Sequence, residues 1–194
     1  MKEVATAPVI VYTEATPNPD TLKFVTNRML LTRGVADFQE RESAGDSPLA
    51  TSLFEFAGVR GVFVAGNFIS VSKNSGDQWV ELIPPLRDFI RKFLSEDRPL
   101  FTDGFEAGGQ MANGPGSSPV EDRIVDILEK YVRPAVEMDG GAIHFKSFDE
   151  GKVTLTLKGA CSGCPSSTVT LKAGIEGMLK RMVPEVSEVI AEEA

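Results

Sequence analysis

The sequence predicts an α+β protein built as two small domains, each a small, mainly antiparallel sheet packed against helices, joined by a flexible Gly-rich linker. Three observations lead there. The chain has 194 residues, a length that suits one large domain or two small ones. Strand-like alternation and helix-like apolar spacing occur on both sides of a single segment. That segment, residues 103–118 (DGFEAGGQMANGPGSS), has five glycines, a proline and almost no periodic apolar position. The boundaries read as 1–102, 103–118 and 119–194. Sixteen residues of such coil span roughly 20 to 24 Å root-mean-square, so the domains are expected to move independently.

In the first domain, Val9-Ile10-Val11-Tyr12 and Thr21-Leu22-Lys23-Phe24-Val25 read as strands around the turn-rich Thr16-Pro17-Asn18-Pro19-Asp20. Leu49 to Phe56 reads as a short helix. Val59 to Ser72 has apolar runs on both sides of Ala65-Gly66-Asn67, a hairpin in which Gly and Asn would supply positive φ. From Trp79 to Leu94, the positions Leu82, Leu86, Phe89, Ile90, Phe93 and Leu94 have helical spacing. Pro84-Pro85 suggests that the regular helix starts there, with the prolines in its first turn.

The second domain opens on Ser118-Pro119-Val120-Glu121, a capping-box pattern. The helix after it would bury Ile124, Ile127, Leu128, Tyr131 and Val132, and Pro134 marks a boundary or kink. Met138-Asp139-Gly140-Gly141 is a turn. Ile143 to Lys158 alternates around Asp149-Glu150-Gly151 as a half-buried hairpin. Pro165 opens a second helix with Val169, Leu171, Ile175, Met178, Leu179 and Met182 on its apolar stripe, and Val186 to Ile190 reads as a third strand.

Charge and composition exclude several function classes. Net charge is -8 (20 bases, 28 acids), and 13 acids against 9 bases in residues 119–194 leave -4 for each half. With no basic patch beyond Arg91-Lys92 and Lys180-Arg181 on amphipathic stretches, a nucleic-acid partner is not expected. Mean hydropathy is -0.05, and no apolar run approaches the ~18 residues of a membrane span. The first twenty residues show no secretion or targeting pattern. A cytoplasmic protein is expected, with the mitochondrial matrix as the alternative for a processed organelle protein.

The chemistry gathers at Cys161-Ser162-Gly163-Cys164-Pro165, where a hairpin strand hands over to a helix. Cys164 as N-cap and Pro165 at the first helical position would set both sulfurs near unpaired N–H groups at the positive end of a helix dipole, which favours thiolates. Such a pair is a metal-ligand set or a redox couple. The chain has two cysteines and one histidine, too few for a four-thiolate site. His144, on the hairpin, is a possible third ligand but reads better as a surface or satisfied residue. Two copies meeting at this loop would supply four thiolates on a twofold axis. A dithiol–disulfide oxidoreductase and a dimer-bridging zinc site remain the alternatives. The first domain offers no metal-ligand set and no nucleophile–base pair.

Residues 119–190 closely resemble the C-terminal domain of NifU-like (Nfu) proteins. The resemblance rests on Arg133-Pro134, Asp139-Gly140-Gly141, Gly159-Ala160-Cys161-Ser162-Gly163-Cys164-Pro165-Ser166-Ser167, Leu171-Lys172-Ala173-Gly174-Ile175 and Val183-Pro184-Glu185-Val186. The first half, through Thr16-Pro17-Asn18-Pro19, Val62-Phe63-Val64 and the Trp79 helix, resembles the Nfu N-terminal domain. The resemblance implies an iron–sulfur scaffold or carrier rather than an enzyme. It would hold a [4Fe-4S] cluster between two subunits, with [2Fe-2S] as a further form, and Cys161 and Cys164 as ligands. The implied partners are a second copy, an upstream iron–sulfur scaffold and apo-protein clients. The first domain, with no cysteine or catalytic set and a long linker behind it, is expected to serve partner recognition. Ala142 departs from the pattern, since relatives typically carry an acidic residue after the two glycines.

Overall fold

The computed structural model describes residues 7–108, 118–161 and 165–193. The first sheet has five strands in the order β1-β2-β5-β4-β3, all antiparallel: β1 Val11–Ala15, β2 Thr21–Thr26, β3 Val35–Phe38, β4 Val59–Ala65 and β5 Phe68–Lys73. Helix α1 (Pro48–Leu53) lies between β3 and β4, and α2 (Trp79–Ser95) follows β5. Side chains of a strand alternate between faces. Phe24, Val62, Val64, Ile69 and Val71 accordingly join the helices' Leu49, Leu53, Leu86, Ile90 and Phe93 in one core.

The alternate residues Val25, Phe63, Ala65 and Phe68 point to the opposite face. There they form a second, smaller cluster with Val35 and Ala142, the last from the other domain. The sheet is thus covered on both sides, by its own helices and by the second domain. Independent domain motion was the expectation; in the structure the two domains are docked.

The second unit begins with α3 (Pro119–Ile127), continues through a π-type turn (Leu128–Val132) into α4 (Arg133–Met138), then forms β6 (Gly141–Asp149) and β7 (Lys152–Gly159), α5 (Pro165–Met182) and β8 (Glu188–Glu193). The capping box is present: Glu121 N–H donates to Ser118 Oγ at 3.2 Å, and Ser118 N–H to the Glu121 carboxylate at 2.7 Å. β6 and β7 are antiparallel, and Glu150 (φ 46°) and Gly151 (φ 81°) make their two-residue turn. β8 runs parallel to β7, a pairing that α5 permits as the crossover. Ile124, Leu128, Ile143, Val153, Leu155, Leu179 and Val189 lie in the core beneath.

Several sequence expectations are corrected. Helix α2 starts at Trp79 and passes through Pro84 and Pro85. The carbonyls their missing N–H groups would have met belong to exposed Val80 and Glu81, where water can replace the lost bonds. Pro134 does not stop its helix. Arg133 N–H reaches back five residues to Leu128 O, and the π turn absorbs the proline. In the β4–β5 turn only Gly66 has positive φ (48°); Asn67 instead donates through Nδ2 to Thr26 O at 3.1 Å. Tyr131 and Val169, placed on buried stripes, are exposed. The segment read as linker is packed over its first part: Phe105 stacks on Phe101 at 4.2 Å and Val35 N–H donates to Gly108 O at 2.8 Å.

Candidate metal-binding site

Strand β7 delivers Cys161 to the far end of the hairpin, where β6 begins. Gly159 (φ 65°) turns the chain, and Ala160 N–H donates to Gly140 O at 3.2 Å. The two glycines before β6 have separate reasons to be glycine. Gly140 has φ 81°, a conformation side chains rarely adopt. A Cβ on Gly141 would sit 2.7 Å from both Cys161 Sγ and Lys158 O, so the sulfur occupies the space a side chain would need. The Asp139-Gly140-Gly141 motif is therefore a seat for the Cys161 thiol.

That thiol is 6 % exposed and packs with the second core. Burial pushes its pKa up to about 12 from 9.0, with the Asp139 carboxylate adding to the effect. The sequence reading expected the opposite. The helix end begins at Pro165, four positions after Cys161, whereas dipole stabilisation fades within the first turn; at Cys161 desolvation wins. Pro165 does open α5 as expected, while Cys164, Ser162 and Gly163 lie outside the described residues.

His144, the suggested third ligand, sits on β6 opposite Thr156. It is 9 % exposed, and both ring nitrogens lack a hydrogen-bond partner. Burial, then Lys158 and Arg133, lowers its pKa to about 4. It is neither on the surface nor satisfied, contrary to expectation. Among the described residues no group of three or more His, Cys, Asp or Glu could hold a metal ion.

The structure adds contributors that the sequence did not suggest, all from the first domain. Lys23 Nζ donates to Glu137 O and Met138 O, each at 3.2 Å, capping the end of α4. The same ammonium lies 3.3 Å from Glu14 and 4.5 Å from the centroid of Phe68. Ser70 donates to Gly140 O at 2.7 Å and Asn18 Nδ2 to Ala160 O at 3.4 Å. A Cβ on Gly159 would meet Phe63 at 2.9 Å. These contacts converge on residues 137–142 and 159–160, the two segments that seat Cys161. Lys23 and Ser70 lie on neighbouring strands and alternate with core residues, a signal compatible with any solvent-facing position.

Residues 11–97 match the family model described as scaffold protein Nfu/NifU N terminal, and residues 124–190 match that of the NifU-like domain. NifU-like protein 4, mitochondrial, of Arabidopsis thaliana is 41 % identical over 93 % of this chain, which spans 65 % of that relative's length. The human NFU1 iron-sulfur cluster scaffold homolog, mitochondrial, is 37 % identical over 93 % of the chain and is covered for 71 % of its own length. NifU-like protein C1709.19c of Schizosaccharomyces pombe is 36 % identical, with 93 % and 71 % covered. Two of these names carry a mitochondrial address, and none of the three lends support to the cytoplasmic expectation. The chain belongs to the NifU-like family, in the form that joins an Nfu N-terminal domain to a NifU-like domain.

Proposed function

We propose that this chain is an iron–sulfur cluster scaffold and carrier rather than an enzyme, one that takes a [4Fe-4S] cluster as cargo between two copies and passes it to apo-proteins. The observation that carries the reading is the ligand count: Cys161 and Cys164 are the two cysteines of the chain, and a cluster of this kind takes four thiolates. A second copy related by a twofold axis completes the set. A [2Fe-2S] cargo would use the same four sulfurs. Relatives named as iron–sulfur scaffolds favour this reading over a bridging zinc site. The dithiol–disulfide alternative needs a nucleophilic thiolate at Cys161, and burial opposes it.

A metal ion takes the thiolate and displaces its proton, so cluster loading works against the burial that pushes the Cys161 thiol up to about 12. The first domain packs on the segments that seat Cys161, and its role in this reading is to bring a client to the loop. Its partners are an upstream cluster donor and apo-protein clients.

Transfer of cluster to an apo-ferredoxin acceptor tests the reading. The parental chain should restore the acceptor's absorbance, and Cys161→Ser and Cys164→Ser chains should not. Transfer at the parental rate by either variant would overturn it.

A further inference from the structure

The turn Thr16-Pro17-Asn18-Pro19-Asp20 between β1 and β2 is held from within and from without. Inside it, Asn18 N–H donates to Thr16 Oγ at 3.2 Å, Asp20 N–H to Asn18 Oδ1 at 3.0 Å and Thr21 N–H to Asn18 O at 3.0 Å. From outside, Lys73 Nζ pairs with the Asp20 carboxylate at 2.6 Å and Trp79 Nε1 donates to Pro19 O at 2.9 Å. Two prolines of fixed φ complete it. A connection of this kind normally runs over the surface with its polar groups in water. Asn18 is instead 4 % exposed, and the turn lies against the second domain.

The contacts across the boundary fall on the backbone that leads into Cys161. Asn18 spends Oδ1 inside its turn and donates through Nδ2 to Ala160 O at 3.4 Å. That oxygen belongs to the planar peptide unit that also carries Cys161 N–H, so its direction sets how the chain enters Cys161. Ser70, 2 % exposed on β5, acts one step earlier: its hydroxyl donates to Gly140 O at 2.7 Å, and the same oxygen accepts from Ala160 N–H at 3.2 Å. Asp37 of β3 accepts a backbone hydrogen bond from Gly159. The approach is close enough that a Cβ on Gly140 would stand 2.8 Å from Ser70 Oγ and 3.3 Å from the Thr16 methyl. Partners that orient a metal ligand set how well it holds its metal.

We propose that Asn18 and Ser70 are positioning residues for Cys161, so that the cysteine site is assembled from both domains. The first domain holds the peptide units ahead of the thiol through the Ala160 and Gly140 carbonyls. That Cys161 then carries cargo rests on the function proposed above; the positioning is a property of the chain without cargo.

The test uses the full-length chain free of cargo in a Cys164→Ser background, which leaves Cys161 as the one thiol. Ser70→Ala removes the donor to Gly140 O. Asn18→Ser keeps a short acceptor for the turn and loses the reach to Ala160 O. Each variant should speed alkylation of Cys161 by iodoacetamide about tenfold or more, because a carbonyl that has lost its donor lets its segment open more often. The radius of gyration from small-angle X-ray scattering should stay that of the background chain. Alkylation at the background rate in either variant overturns the proposal. Faster alkylation accompanied by the larger radius of separated domains also overturns it, since the two residues would then be docking contacts alone. Iron and sulfide loading of the parental chain is a separate measurement that decides the proposed function, so the two can fail independently.

Discussion

Lys23 is the point at which docking can be released with least damage to either domain. Its side chain is 10 % exposed, and its ammonium donates to two carbonyls at the end of α4. A hydrogen bond from a charged donor contributes about 1.5–3 kcal/mol, and the pairing with half-exposed Glu14 adds about 0–1 kcal/mol. The ammonium regains hydration when the domains part, which offsets some of this. Lys23→Met keeps the stem packed over Phe68 and removes the donors, so docking should lose about 2–4 kcal/mol, lowering the closed-to-open ratio by roughly 30- to 1,000-fold. Small-angle X-ray scattering reads the outcome, since a compact chain of 194 residues has a radius of gyration near 16 Å and separated domains exceed it by several ångström. Ala142→Asp is an independent route to the same state, because it buries a carboxylate among Val25, Phe63 and Phe68. If both variants scatter as the parent does, the interdomain contacts do not hold the domains together.

Three further outcomes follow from the site. In a Cys164→Ser chain, Cys161 should react with iodoacetamide at pH 8 about a thousandfold more slowly than an ordinary thiol, because its pKa stands near 12 rather than 9.0; a rate matching that of the unfolded chain would refute its burial. Gly141→Ala forces a methyl to within 2.7 Å of the Cys161 sulfur, and should cost about 1–3 kcal/mol of stability and reduce the cluster loaded per chain; loading equal to the parent would show that the glycine seat is dispensable. His144 should titrate in phosphate-free buffer with a midpoint about 4. Its folded pKa lies below the unfolded value, so its contribution is present above pH 6.5 and lost as pH falls toward 4, and a midpoint near 6.5 by NMR would contradict its burial.

The second domain was legible because its signals are local. Ser118 and Glu121 cap one helix, alternation from Val153 to Leu157 marks a strand with one buried face, and Pro165 opens α5. The direction of β8 was not legible: parallel pairing with β7 is decided by where α5 returns the chain, which no local pattern encodes. Strand β3 escaped notice because Val35–Phe38 is four residues long and is completed by its pairing with β4. The linker estimate went astray at Phe105, an aromatic in a glycine-rich stretch that finds Phe101 and the first core.

At the candidate site, the sequence singles out Cys161 and Cys164 as candidate ligands and predicts a favoured thiolate at Cys161, where the structure pushes the thiol pKa up. The helix dipole is readable from sequence, whereas the desolvation that outweighs it at Cys161 depends on the fold. The docked face was invisible for a related reason. Lys23, Ser70 and Ala142 look like solvent-facing positions until a second domain covers them. Ala142 is informative in retrospect, since its small apolar side chain packs into the cluster around Phe63.

The central claim is a cluster shared by two chains, and anaerobic reconstitution with iron and sulfide, followed by iron, sulfide and zinc content and solution mass, tests it most directly. The account predicts about two iron and two sulfide per chain in a species of twice the monomer mass. Zinc without sulfide, or a monomer that retains no metal, would contradict it.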